Sequence, residues 1–263
     1  MSVRWPVPED WDMRIIGVGG SAIVSLYDDT TVLKGYVVVL DGRVTNRVGN
    51  EERSKRSLGL EHQVYKRLGS HRHILHCLGW VEVEKDIRSL RLEYASKGNL
   101  RSFIETNASC PVGMSLRLTW AIDLAAGQAY IHSKRVYHCD FSCRNVFLTE
   151  QDVVKIGDFG GAGLDENESD GVEESRYELP LRGRGWEERP YIKRDLFALG
   201  SSIYEIMAWK KPFTELDDEE VEKRFARDEF PDLSNIACAD VIQKCWEEKY
   251  KRAEEVIDEL RAR

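Results

Sequence analysis

The feature that most constrains this chain is a change in apolar periodicity at Gly98. From Met13 to about Tyr94, the runs IIGVGG, AIVSLY, TVLKGYVVV, LGWVEVE and LRLEYA have strand character, and they surround one stretch, EERSKRSLGLEHQVYKRLG, whose apolar residues fall at helical spacing. After Gly98 come two long helical periods, SLRLTWAIDLAAGQAYIHSKR and KRDLFALGSSIYEIMAW, then a charged amphipathic C-terminal segment. Short strands are expected there only near Val146 to Ile156. The pattern predicts an α+β chain, strand-rich with one main helix at first and helical afterwards. No repeat or Pro/Gly/Ser-rich linker divides it, and 263 residues with 42% hydrophobic content suffice for a sizeable core.

The net charge of −8 argues against nucleic-acid or anionic-membrane partners, so any phosphate must be held locally. The N-terminal MSVRWPVPEDWDMR lacks a signal-like apolar run, and no stretch approaches the roughly 20 apolar residues of a membrane span, so a soluble, cytoplasmic chain is expected. The six cysteines form no CxxC pair and read as reduced thiols. His71, His73, His76 and Cys77 lack a second ligand cluster at zinc spacing. The loop LDENESDGVEESRYELP crowds Asp165, Glu166, Glu168, Asp170, Glu173, Glu174 and Glu178 with almost no apolar anchor, which predicts a mobile, solvated segment.

Three places in the chain set polar groups against apolar runs. Gly17, Gly19 and Gly20, with Val18 among them, form a tight turn between apolar runs, where missing Cβ atoms let backbone N–H groups approach phosphate oxygens. The strand-like AIVSLY that follows fits neither a dinucleotide fold nor a P-loop; alone, the turn reads equally as a plain hairpin. Lys34, ten residues past Val24, sits in the apolar TVLKGYVVV, where an ammonium needs an acid or a phosphate. Glu61, on the helical stretch with Val64, Tyr65 and Leu68, is placed to point inward and meet it. Taken singly, Lys34 reads as a solvent-facing edge lysine and Glu61 as a surface charge. In YHCDFSCRNVFL and VVKIGDFGGAG, Asp140 and Asn145 lie five residues apart, and Asp158 follows Asn145 by thirteen. A hairpin joining the two segments brings Asn145 and Asp158 to one end, a donor pair suited to Mg²⁺, and leaves Asp140 to accept or orient a hydroxyl proton.

In this order the segments resemble the eukaryotic protein kinase family over essentially the whole chain: GVGGSAIV, VLK, Glu61, HCDFSCRN and DFG stand for its glycine loop, strand lysine, helix glutamate, catalytic loop and metal-binding motif. The runs HxDFSxRN and DLFALGSSIYEIM are similar to fungal minimal kinases. The resemblance implies one kinase domain over 1–263: a bilobal fold with a β-rich N-lobe over about 1–94, a hinge over about 93–98 and a helical C-lobe over about 99–263. It implies ATP and Mg²⁺ as cofactors and a protein hydroxyl as acceptor, with serine or threonine favoured over tyrosine. Lys34 would hold the phosphates and pair with Glu61, Asp140 would be the base, Asn145 and Asp158 would bind Mg²⁺, and Arg144 would add positive charge near the transferred phosphate. Val24, Val32 and Phe147 would flank the adenine, Leu92 would guard the back of its pocket, and Glu93 and Ala95 would lie in the hinge. Asp195 would brace the catalytic loop, with His138 and Phe159 as packed struts.

Four departures stand out. Ala22 replaces the third glycine, and Cys139 replaces the arginine that receives a loop phosphate, which argues against activation by loop phosphorylation while Ser169, Ser175 and Tyr177 stay open as phosphosites. Ser142 stands where serine/threonine kinases carry lysine, while Arg144 resembles the tyrosine-kinase arrangement. The Ala-Pro-Glu segment is degraded to ELPL or EERP, which leaves Arg252 in want of its acidic partner. The acidic loop suggests basic substrate segments, and the altered docking region keeps open a pseudokinase scaffold that binds nucleotide or a partner without turnover.

Overall fold

A computed structural model describes residues 13–20, 22–40, 43–47, 50–165 and 169–263. The chain divides into two compact units. The first takes in the described residues up to His71, Leu75–Ser96 and Asp158–Gly160; the second comprises Arg72–Ile74, Lys97–Gly157 and Gly161–Arg263.

The first unit holds β1 (Arg14–Val18), β2 (Ile23–Leu26), β3 (Thr31–Gly35), β4 (Val37–Leu40), β5 (Arg43–Arg47), α1 (Glu51–Leu68), β6 (Cys77–Glu84) and β7 (Ile87–Glu93). Five strands form one antiparallel sheet in the order β1-β2-β3-β7-β6, while β4 and β5 pair separately. The expected run TVLKGYVVV is thus two strands, broken at Tyr36. RVTNR was no expected strand, because one valine among five residues carries no apolar pattern; its backbone pairing with β4 makes it one. β3, central in the sheet, is buried at all five positions, so Lys34 stands between Val24 of β2 and Leu90 of β7.

Helix α1 is specified at both ends. The Asn50 side chain accepts from Arg53 N, Glu51 and Glu52 occupy the first turn, and Lys66 and Arg67 the last. Gly69 ends it at φ +64°, donating its N–H to Tyr65 O at 2.9 Å. Leu58, Glu61, Tyr65 and Leu68 share the buried stripe, three or four residues apart, so this geometry carries an acid inward among apolar side chains.

The second unit contains α2 (Leu100–Thr106), α3 (Met114–Ser133), β8 (Val136–Tyr137), β9 (Val146–Leu148), β10 (Val154–Ile156), β11 (Gly163–Leu164), α4 (Tyr191–Ala208), α5 (Asp218–Phe225), α6 (Ala239–Trp246) and α7 (Ala253–Arg261). β9 pairs with β10 as expected, and β8 pairs with β11, a two-residue ladder too short for sequence periodicity to reveal. α4 is buried on every face from Arg194 to Met207, which makes it the core helix of this unit. Its Gly200 allows α6 to approach closely: a Cβ there would lie 2.4 Å from Cys245 Cβ and 3.4 Å from Ile242 O. Alanine normally gains about 1 kcal/mol over glycine within a helix. Here overpacking reverses the sign, and Gly200→Ala should cost about 2 kcal/mol and lower Tm by roughly 4–8 °C in a thermal melt.

Candidate active site

Burial of a charge on β3 organises the first unit. Lys34 Nζ lies 2.7 Å from Glu61 Oε2 and 2.7 Å from Asp158 Oδ1. Neither single-residue alternative describes the molecule: Lys34 does not face solvent, and Glu61 is fully buried. Burial alone would pull the Lys34 ammonium down, but Asp158 and Glu61 outweigh it and the net direction is up. Burial pushes the Glu61 carboxyl above its ordinary range, against the pull of Lys34. Phe159 is fully buried edge-on to Tyr65 of α1, and Ser57 Oγ donates to Gly160 O at 3.1 Å, so the Asp-Phe-Gly segment is fastened to α1 at Phe159 and at Gly160. Val32, Leu92 and Ala95 are buried, Val24 and Glu93 are half-buried, and Glu93 accepts from His76 N through its carboxylate.

The glycine turn links β1 to β2, with Gly19 N donating to Ala22 O at 2.8 Å. A Cβ at Gly20 would meet nothing within 4 Å, one at Gly19 only Ala22 O at 3.5 Å, and neither residue has a positive φ. Internal packing therefore gives no reason for glycine at either position.

In the second unit, Asp195 of α4 organises the polar loop after β8. Its fully buried carboxylate accepts from His138 N (2.8 Å) and Cys139 N (3.0 Å) and lies 2.9 Å from His132 Nε2. Burial would raise Asp195, yet these hydrogen bonds and the histidines hold it below the usual range. Cys139, at φ +60°, occupies left-handed backbone space that a non-glycine residue rarely adopts. Burial pushes its thiol up to about 12 and also raises that of Cys143, so both are inert neighbours of Asp140. His138, buried, sits with Nε2 3.0 Å from Gly157 O, an internal strut.

Asn145 Nδ2 donates to Asp140 O (2.7 Å) and Oδ2 (3.2 Å), which leaves the amide oxygen as its group for a cation. Arg144 Nη2 approaches both Asp140 oxygens at 3.3 and 3.4 Å. Phe147, half-buried on β9, follows two residues after Asn145.

The acidic loop departs most from expectation. Glu166 and Glu168 lie outside the described residues. Among the rest, Glu173 is buried against Arg194 at 2.7 Å, Glu174 binds Arg101 at 2.6 Å, Glu178 binds Arg189 at 3.0 Å, and Tyr177 is fully buried with its hydroxyl on Glu205. The segment from Glu173 onward is anchored, because arginines on α2 and α4 and beside α4 supply the hold that apolar residues would otherwise give. Arg101 and Glu205 were missed from sequence. Glu205 offered the signal that found Lys34, a charge inside an apolar run, SSIYEIM.

Neither degraded motif pairs with Arg252, which lies 3.7 Å from Glu255. Glu188 instead caps Gly185 N at 2.6 Å. The ion pair closing the loop has opposite polarity: Glu248, after α6, binds Arg182 at 2.6 Å and Arg184 at 2.8 Å.

A β-sheet N-terminal part and a helical C-terminal part, with a buried lysine–glutamate pair in the first and a braced acidic loop in the second, are the architecture of a protein-kinase-type chain. The model of the protein tyrosine and serine/threonine kinase family matches residues 43–256, and the chain belongs to that family. Megakaryocyte-associated tyrosine-protein kinase of Mus musculus is 32% identical over 165 residues, 59% of this chain and 32% of that protein. A probable serine/threonine-protein kinase of Dictyostelium discoideum is 27% identical over 221 residues, 81% of this chain and 42% of that protein. Serine/threonine-protein kinase Nek4 of Mus musculus is 24% identical over 234 residues, 88% of this chain and 29% of that protein. The chain thus spans well under half the length of the curated relatives it matches. No helix among the described residues is long and apolar enough to cross a membrane.

Proposed function

We propose that this chain is a protein kinase domain, encompassing residues 1–263, that uses ATP and Mg²⁺ to phosphorylate a protein hydroxyl. The observation that carries the reading is the buried Lys34, held at 2.7 Å by both Glu61 and Asp158. An ammonium presented by two acids from the sheet interior is a preorganised phosphate ligand, worth its burial when it receives a polyanion. Lys34 binds the phosphates, and Gly17, Val18, Gly19 and Gly20 offer backbone N–H groups above them. Val24, Val32, Leu92, Glu93, Ala95 and Phe147 receive the adenine end. Mg²⁺, when bound, neutralises phosphate charge; Asn145, through its amide oxygen, and Asp158, 46% exposed, would hold it. Asp140 orients the acceptor hydroxyl and takes its proton, and Arg144 adds positive charge beside it.

Serine or threonine is the first reading for the acceptor, because the relatives matching 81% and 88% of the chain are named as serine/threonine kinases. Tyrosine is the second, favoured by Arg144 beside Asp140 with Ser142 in place of a lysine. A preference for basic substrate segments would rest on exposed acids such as Asp170, since Glu173, Glu174 and Glu178 already bind arginines.

The test incubates purified chain with radiolabelled ATP, Mg²⁺ and basic or acidic protein substrates, followed by phosphoamino-acid separation. Transfer is expected, falling about 100-fold or more in Asp140→Asn. Nucleotide binding without transfer would overturn the enzyme reading in favour of a scaffold.

A further inference from the structure

We propose that Glu174 is a positioning residue that shares the Arg144 guanidinium with Asp140 and so loosens the hold of Arg144 on the Asp140 carboxylate, which the acceptor hydroxyl has to reach. The proposal rests on the kinase reading above. Its support is a continuous chain of side chains within the second unit. Glu205, buried in α4, accepts from Arg101 Nε at 3.0 Å and Nη2 at 3.3 Å. The remaining arm of Arg101, Nη1, donates to Glu174 Oε2 at 2.6 Å. The other carboxylate oxygen of Glu174 accepts from Ser142 Oγ at 2.8 Å and lies 3.8 Å from Arg144 Nε.

Glu174 is therefore fixed from the core side by a buried arginine that is itself fixed by a buried acid. It presents its second oxygen to the loop that carries Asp140. Arg144, by contrast, is half-exposed and stands between two carboxylates. Its contacts with Asp140, at 3.3 and 3.4 Å, are longer than the roughly 2.7–2.9 Å of a settled guanidinium–carboxylate bond. A guanidinium pulled from both sides rests at stand-off distance. Without the pull of Glu174, Arg144 tightens these long contacts into a settled bidentate pair with Asp140 and competes more strongly with the hydroxyl for its oxygens. Ser142 reinforces the arrangement, since its Oγ also accepts from Arg144 N at 3.3 Å while donating to Glu174.

The experiment is a double-mutant cycle on the full chain with Glu174→Gln, Arg144→Ala and the pair, measuring kcat, KM for ATP and Tm. Glutamine keeps one acceptor oxygen for Arg101 and turns its NH₂ towards the Ser142 hydroxyl, which can rotate to accept from it, while the charge that draws Arg144 is removed. The expected result is a kcat lowered about tenfold by Glu174→Gln with KM for ATP within about twofold, and no further loss when the change is made in Arg144→Ala. Equal losses in both backgrounds would overturn the assignment, as would a kcat loss accompanied by a matching rise in KM or a fall in Tm. Transfer by wild type with additive mutants sinks the role of Glu174 alone. Absence of transfer by wild type sinks the kinase reading and this role with it.

Discussion

Replacing Lys34 with methionine is expected to abolish phosphoryl transfer and to destabilise the chain by about 3–5 kcal/mol. The two effects have different origins. The stability loss comes from Glu61, fully buried on α1, which would lose the ammonium 2.7 Å away. Asp158 is 46% exposed and falls back on water. Burial already pushes the Glu61 carboxyl above its ordinary value of 4.5, and a raised acid binds its proton more tightly folded than unfolded. Its penalty is therefore absent at low pH and grows as pH rises through 4.5 towards the folded value, so the deficit of Lys34→Met should be larger at pH 7 than at pH 4.5 in urea unfolding. Adding Glu61→Leu should restore most of the stability, because apolar pairs often replace buried ion pairs without cost. It should restore no transfer. Recovery of transfer in the double variant would show that the lysine serves packing and not phosphate.

The second large effect is expected at Asp195. Asparagine is nearly the same shape, but an amide can offer only one oxygen where the carboxylate accepts from His138 N and Cys139 N through different oxygens. One buried N–H is left facing an NH₂ group, and Asp195→Asn should cost about 2–4 kcal/mol. Cys139 makes the loss functional. Its φ of +60° is held by the bond to Asp195, and Asp140 is the next residue. Released, the strained backbone relaxes and carries Asp140 out of place, lowering kcat about 100-fold. The Asp195 carboxyl is held below its ordinary value of 3.8, so its contribution is complete above that pH and is lost as pH falls through the folded value. The gap between wild type and Asp195→Asn should accordingly narrow in strong acid. A gap that is unchanged from about pH 7 to about pH 2 would show that the charge of Asp195 does not stabilise the loop.

Lys34 and Glu61, and the places of Asp140, Asn145 and Asp158 in the chain, were legible in sequence because each is a polar residue whose neighbours declare its surroundings: an apolar strand, a helical stripe, a loop between a helix and a strand; Asp195 entered only through the family resemblance. The acidic loop was misread for the complementary reason. Composition describes a segment by its own residues, whereas Glu173, buried, and Glu174, half-buried, are held by Arg194 and Arg101, 21 and 73 positions away. Distance along the chain hid these partners. Ion pairing at the end of the loop was hidden differently, by an exchange of signs. A search for an acid opposite Arg252 could not find Glu248 serving Arg182 and Arg184, because the roles of acid and base had been swapped between the two segments. Strand β5 escaped through its polarity, and the β8–β11 ladder through its length.

The fastening of the loop by Glu173 and Glu174 has a chemical consequence. A phosphate ester can be attached and hydrolysed away, whereas a glutamate carboxylate belongs to the chain from its synthesis. Arg101 offsets the burial of Glu174 and holds its carboxyl below the ordinary range, so the charge persists throughout the neutral range. These contacts form with the fold and need no second protein to install them. The carboxylates that fasten the loop therefore contain nothing that a phosphatase could remove.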